Sequence, residues 1–210
     1  GGRKNKECIA AGTADVYKEQ DDKDQGGDKT ERIKDGEKKG EAGENRLINT
    51  LGKIRPRRVL VAGLGPQEKF DVQVVRRVLA EVVRFLRRKG ISSAATIAHG
   101  AGIGGLDPQS SGQAIAEGAH LGLYKFGTYL TKDSDSTNEF ERLTVVELDK
   151  TRAKAIEAGV KLGSTVAKAS ITARNMVNEP ANHMTPSRMA EAAQKVASDQ
   201  GLKIEVMENA

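Results

Sequence analysis

An α/β layered domain with a mostly parallel sheet, followed by a long connector helix and the first helix and strand of a truncated second domain, is the fold this sequence predicts. Three observations carry that expectation. From Arg46 onward, short β-prone runs alternate with helical stretches, the rhythm of a parallel sheet covered by helices. Within Asp71 to Lys89, Val72, Val75, Leu79, Val82 and Leu86 recur at spacings of three and four, while the arginines fall largely on other faces. Thr151 to Val177 then reads as one long helix, too long for a loop crossing and suited to joining two units.

In chain order, residues 1–45 come first as a polar segment. Ile33 is the only large apolar residue of its central run, so the segment cannot offset its ordering entropy and is expected to be poorly ordered. Patches at Cys8 to Ala11 and Val16-Tyr17 could touch the domain weakly. The α/β domain is placed at residues 46–149. Arg46 to Leu51 and Arg58 to Ala62 read as short strands, and Gly63-Leu64-Gly65-Pro66 breaks the second. Asp71 to Lys89 is the amphipathic helix, with Gly90 as its stop. Ala94 to Ala98 is a small, apolar strand. Asp107-Pro108 supplies an N-cap and a first-turn proline for a helix through Leu123. Tyr124 to Leu130 is read as a further strand, Lys132 to Glu141 as a loop, and Leu143 to Leu148 as the last strand.

The connector helix is placed at residues 150–177. Ile156, Val160, Gly163, Val166, Ser170, Ala173 and Val177 form its expected stripe, with small residues that permit close helix packing. After the corner Asn178 to Met184, Thr185-Pro186 caps another helix to Gln200, which Gly201 ends. Leu202 to Met207 alternates like a strand. Residues 178–210 thus read as the start of a second domain. A chain that opens on Gly1-Gly2 and closes on Ala210 just after this run is read as a fragment.

Composition narrows the function classes. Cys8 is the only cysteine, so an internal disulfide is excluded and a reducing, cytoplasmic setting is the default expectation. No run approaches the roughly 18–20 apolar residues of a membrane span. The net charge of +5 gathers at Lys53, Arg55, Arg57, Arg58, Arg76, Arg77, Arg84, Arg87, Arg88 and Lys89. A solvated helix face with an exposed loop explains it. The alternative is a phosphate-binding surface and association with nucleic acid, without the aromatic interleaving that would support it.

Gly100-Ala-Gly102-Ile-Gly-Gly105 formally fits G-x-G-x-x-G between a strand and a helix. No acidic residue follows at the expected place about 20 residues on, since Glu117 sits inside a helix. A tight turn is the favoured reading. Gly63 to Pro66 is weaker still, because Pro66 lacks an amide donor. His99, His120 and His183 have no carboxylate or cysteine at ligand spacing. Cys8 has no basic or histidine neighbour to activate it. No catalytic constellation is visible.

The densest punctuation is Asn178-Glu-Pro-Ala-Asn-His-Met-Thr-Pro186, which specifies a fixed corner between two helices. The longer segment ARNMVNEPANHMTP, residues 173–186, resembles the segment joining the two domains of the leucine aminopeptidase (cytosol aminopeptidase) family. KIRPRRVLVAGLG, ATIAHGAGIGGLD and QAIAEGAHLGLYKF resemble that family's amino-terminal domain in the same order. The resemblance runs from about Ile33 to Ala210.

It implies a macro-domain-like α/β unit joined by the long helix to a catalytic domain. It also implies a homo-hexameric enzyme that removes amino-terminal residues from peptides with two divalent metal ions (zinc, manganese or magnesium). The family's ligands lie around N-T-D-A-E-G-R in the catalytic domain. Here Asn49-Thr50 continues as Leu51-Gly52, so no catalytic, cofactor-binding or metal residue transfers to this chain, and the chain alone is expected to be inactive. A macro-like module holding a nucleotide or ADP-ribose at the two glycine segments is the alternative reading. Near the front only an echo of the family is kept, around Gly26-Gly27. Charged residues stand where apolar ones are expected, which puts the first strand in question and would leave a sheet edge open.

Overall fold

The computed structural model describes residues 41–102, 104–129 and 139–207, together with the backbone of 7–11. Five strands form one sheet: β1 (Glu7–Ala11), β2 (Asn45–Asn49), β3 (Arg58–Ala62), β4 (Ser93–Ile97) and β5 (Arg142–Val146). Their order is β2-β3-β1-β4-β5. β1 pairs in parallel with both β3 and β4, and β4 with β5, while β2 runs antiparallel to β3. The mostly parallel α/β sheet is as expected.

The place of β1 corrects the expectation for the polar front segment. Glu7–Ala11 is the central strand, with Cys8 opposite Val59 on one side and Ala95 on the other. Averaged over 45 residues the composition is too polar to fold, but ECIAA alone supplies small and apolar residues, and two neighbours satisfy its backbone. The open edge expected from a missing first strand therefore does not arise there. Gly26-Gly27, Val16-Tyr17 and most of that segment lie outside the described residues, as does much of the loop expected at Lys132 to Glu141.

Helix α1 (Val72–Arg88) follows the predicted periodicity. Asp71 caps it by accepting from the Val74 amide at 2.8 Å, and Gly90 follows its end with φ +68°. Val75, Val78, Leu79, Val82, Val83 and Leu86 are buried. Val78, Val82 and Leu86 pack on Leu60, Ala62, Ala94 and Ile91 in one cluster, and Val75 and Leu79 on Ala114 and Ile115 in a second. Each such side chain contributes roughly 1.5–3 kcal/mol by leaving water, so this helix organises the core. Helix α2 (Pro108–Leu123) starts as predicted, with Asp107 accepting from the Ser110 amide and Pro108 in the first turn.

Helix α2 lies between α1 and α3 (Lys150–Asn178) and carries glycines toward both. A Cβ at Gly118 or Gly122 would meet the Arg76 carbonyl or the Ala80 backbone of α1. One at Gly112 would meet the Ile156 carbonyl of α3. From the other side, Gly159 and Gly163 of α3 sit against the carbonyls of Gln109 and Gln113. The expected stripe on α3 is therefore shifted. Ile156, Gly159, Gly163 and Ala167 are buried, whereas Val166 is 42% and Val177 83% exposed. The true stripe advances by three, four and four, near the helical repeat.

Two expected strands are not strands. Residues 124–129 have no regular structure, because the chain turns there to meet the end of α3. Leu202 to Met207 forms no strand and pairs with none of the described strands. Alternation alone makes no ladder without a neighbouring strand. Helix α4 (Pro186–Gln200) does follow the sequence: Thr185 caps it, Pro186 opens it, and Gly201 ends it at φ +66°.

Candidate functional site

The glycine turn after β4 folds onto itself. Gly100, Gly102 and Gly105 all have positive φ, and the Leu106 and Gly105 amides bond the carbonyls of Gly100 (3.0 Å) and Gly102 (3.3 Å). A Cβ at Gly100 would strike Phe70 and Leu106, and one at Gly102 would approach Arg152 Nη1 at 2.8 Å. Close packing calls for glycine at Gly100, and positive φ favours it at Gly102 and Gly105, which is the turn reading. The Gly63 to Gly65 segment is buried, and the Gly63 amide and carbonyl are engaged by Glu44 and Gly43. The Gly63, Ala101 and Gly105 amides are thus taken by the fold's own carbonyls.

His99 lies at the end of β4 and is only 2% exposed. Its Nε2 lies 2.9 Å from Thr96 Oγ1, and its carbonyl accepts from the Ser111 hydroxyl at 2.7 Å. Burial lowers its pKa from 6.5 to about 4, so it is neutral near pH 7 and ties β4 to α2. The sign of the linkage is fixed: the unfolded chain binds this proton below pH 6.5 and the folded chain only near 4. Stability is full above 6.5 and falls between 6.5 and about 4. We expect this group to remove roughly 3 kcal/mol across that window, from 1.36 kcal/mol per unit. Urea unfolding at a series of pH values would show it, and His99→Gln should flatten that slope. Burial, with Lys168 nearby, lowers His120 in the same direction.

Glu117, unassigned by sequence reasoning, is a buried carboxylate. Arg76 Nε of α1 reaches its Oε2 at 2.5 Å, and Gln113 Nε2 donates to its Oε1 at 2.7 Å. Among the described residues no three of His, Cys, Asp and Glu approach closely enough to hold a metal ion. His99 and Glu117 are spent on structural partners, so the donors of a two-metal site are not assembled there.

The basic region divides in two. Lys53, Arg55 and Arg57 are exposed on the turn between β2 and β3, where the Thr50 hydroxyl bonds the carbonyls of Pro56 (2.6 Å) and Arg57 (2.9 Å). On α1, Arg76 is bound to Glu117, Arg87 donates to the Leu123 carbonyl at 2.9 Å, and Lys89 lies over the Phe85 ring at 5.8 Å. Arg77, Arg84 and Arg88 are exposed. Much of the helical charge therefore serves packing or a solvated face.

The corner after α3 is where side chains from distant segments converge. Asn178 Nδ2 donates to the Tyr124 hydroxyl at 3.0 Å, and that hydroxyl donates to Asn175 Oδ1 at 2.9 Å. Arg174 stacks over the Tyr124 ring. The Tyr129 hydroxyl donates to Glu179, whose carboxylate raises the tyrosine's pKa and keeps it protonated. The Tyr129 ring lies 5.4 Å from that of His183. Beside it, an open cleft of about 330 Å³ is lined by Glu179, His183, Met184, Arg188, Glu191 and Lys195, among others. The sequence marked this corner but not its aromatic partners. Their signal was the gathering of Tyr124, Phe126 and Tyr129 in a chain with only 3% aromatics.

A mostly parallel sheet covered by helices, with a long helix leaving it and a braced corner beyond, defines an α/β domain of layered architecture. The model described as "Cytosol aminopeptidase family, N-terminal domain" matches residues 9–133. The chain belongs to the cytosol aminopeptidase family. It is 35% identical over 179 residues to a probable cytosol aminopeptidase of Alkaliphilus oremlandii, covering 85% of this chain and 36% of that protein. It is 35% identical over 188 residues to one of Alkaliphilus metalliredigens, covering 89% and 37%. The chain thus spans a little over a third of these relatives' length. Among solved structures, the fold matches the bottromycin maturation enzyme BotP with a TM-score of 0.72 at 22% identity, over 99% of this chain and 40% of that one. A mutant of tomato leucine aminopeptidase matches with a TM-score of 0.69 at 20% identity, over 95% and 40%. At these identities the likeness concerns the fold.

Proposed function

We propose that this chain is the non-catalytic amino-terminal portion of a metal-dependent leucyl aminopeptidase, an enzyme that removes amino-terminal residues from peptides. The observation that carries the reading is the family match over residues 9–133 in a chain about a third as long as its relatives. In this reading residues 46–149 with β1 form the first domain, 150–177 connect, and 178–210 begin the catalytic domain. Two divalent ions (zinc, manganese or magnesium) are held by the remainder of the enzyme, where they would activate a water and polarise the scissile carbonyl. The complete protein is a cytoplasmic hexamer. No helix among the described residues is long and apolar enough to cross a membrane.

Exposed apolar side chains support the reading. Val177, Met189, Leu202 and Met207 lie on the end of α3, on α4 and on the tail, and Met207 is 89% exposed. Such a run is apolar surface awaiting cover. We expect the 210-residue chain to show no hydrolysis of leucine anilide with added manganese. Robust metal-dependent turnover by this chain would sink the proposal.

A further inference from the structure

We propose that Tyr124 and Tyr129 form a clamp that fixes the direction in which the chain leaves the α/β domain, holding α4 at a set angle by side chains rather than by helix packing. The inference stands on the described residues alone and does not need the peptidase reading. After Ala167 no residue of α3 is buried, and α4 buries only Ala197. The last turns of α3 and all of α4 therefore lack the interlocked contact that seats α2 between its neighbours. What ties this arm back is the segment after α2.

Tyr124 grips Asn175 and Asn178, at the final turn of α3, through one hydroxyl that both donates and accepts. Tyr129 reaches past the helix end to Glu179 and places its ring on His183, with Phe126 behind it at 6.1 Å. The corner itself is a tight backbone turn, in which the His183 and Met184 amides bond the Pro180 carbonyl at 2.8 and 2.9 Å. The two tyrosines thus hold the corner before and after the point where the chain changes direction. A hydrogen bond in contact with water is individually weak, so the clamp acts through several contacts on one short segment. Leverage makes them matter. Helix α4 is about 22 Å long, so a 10° change at the corner moves its far end by about 4 Å.

Hydrogen exchange read by mass spectrometry on the 210-residue chain tests this. In a Tyr124→Phe, Tyr129→Phe variant, peptides covering 176–185 should exchange at least about tenfold faster while those from α1 keep their parental rate. Unchanged exchange at the corner overturns the proposal. An equal rise throughout α1 also overturns it, because the tyrosines would then be supporting the whole fold. Should the double variant not fold, Asn175→Ala and Asn178→Ala with Glu179→Ala removes the partners of the same two hydroxyls, and the same outcomes decide.

Discussion

Gly159→Ala is expected to lower the thermal midpoint by roughly 6–12 °C, equivalent to about 3 kcal/mol in a chain of this size. On helix propensity alone the substitution should stabilise, since alanine is favoured over glycine by about 1 kcal/mol in a helix interior. Packing reverses the sign. A Cβ at Gly159 would overlap the Gln109 carbonyl and stand 2.9 Å from the Gln113 amide nitrogen, and both belong to the backbone of α2. Backbone cannot rotate aside as a side chain can, so the two helices must separate along the seam that also contains Gly112 and Gly163. Thermal unfolding monitored by circular dichroism reads the result. A midpoint equal to or above that of the parent would mean the helices are not in the contact described.

Breaking the Arg76–Glu117 pair should be strongly asymmetric. Arg76→Met leaves the Glu117 carboxylate, 7% exposed, with the Gln113 amide still donating to it but no cation beside it, and we expect a loss of about 3 kcal/mol. Glu117→Gln keeps an oxygen for Arg76, whose side chain is 26% exposed and can turn to water, so about 1 kcal/mol is expected. Replacing both by methionine should recover most of the larger loss, because a well-packed apolar pair removes the desolvation cost of both charges. Urea titration of the three variants measures this order. Equal losses for the two single variants would show that the carboxylate is not the stranded partner.

These two features also show what the sequence discloses. The spacing of Val75, Leu79, Val82 and Leu86 is a local signal, and it located α1 correctly. Asp71, Asp107 and Thr185 act within three residues, so the helix starts were equally legible. Arg76 and Glu117 are 41 residues apart, and nothing local joins them. Glu117 between Ala116 and Gly118 was the only hint, a carboxylate among residues too small to lie on a solvated face. β1 was hidden because five residues carry little weight in a polar stretch, while their partners lie near Val59 and Ala94. Leu202 to Met207 erred in the opposite direction: its alternation is real, but strand formation depends on a neighbour. The family was legible at residues 173–186. Tyr124 and Tyr129, which brace that corner, lie some 50 residues upstream and appeared only in three dimensions.

The central position of β1 governs the order of assembly. Among the described strands, β2 and β3 form one half of the sheet, β4 and β5 the other, and β1 alone joins them. Glu7–Ala11 leaves the ribosome before any partner, yet its two neighbours end at Ala62 and Ile97. This strand must therefore wait for both halves. The sheet cannot grow outward from its amino-terminal end as synthesis proceeds, and it closes through non-local pairings that slow folding. Until then two half-sheets expose unpaired strand edges, the condition under which a nascent chain most needs protection from its neighbours.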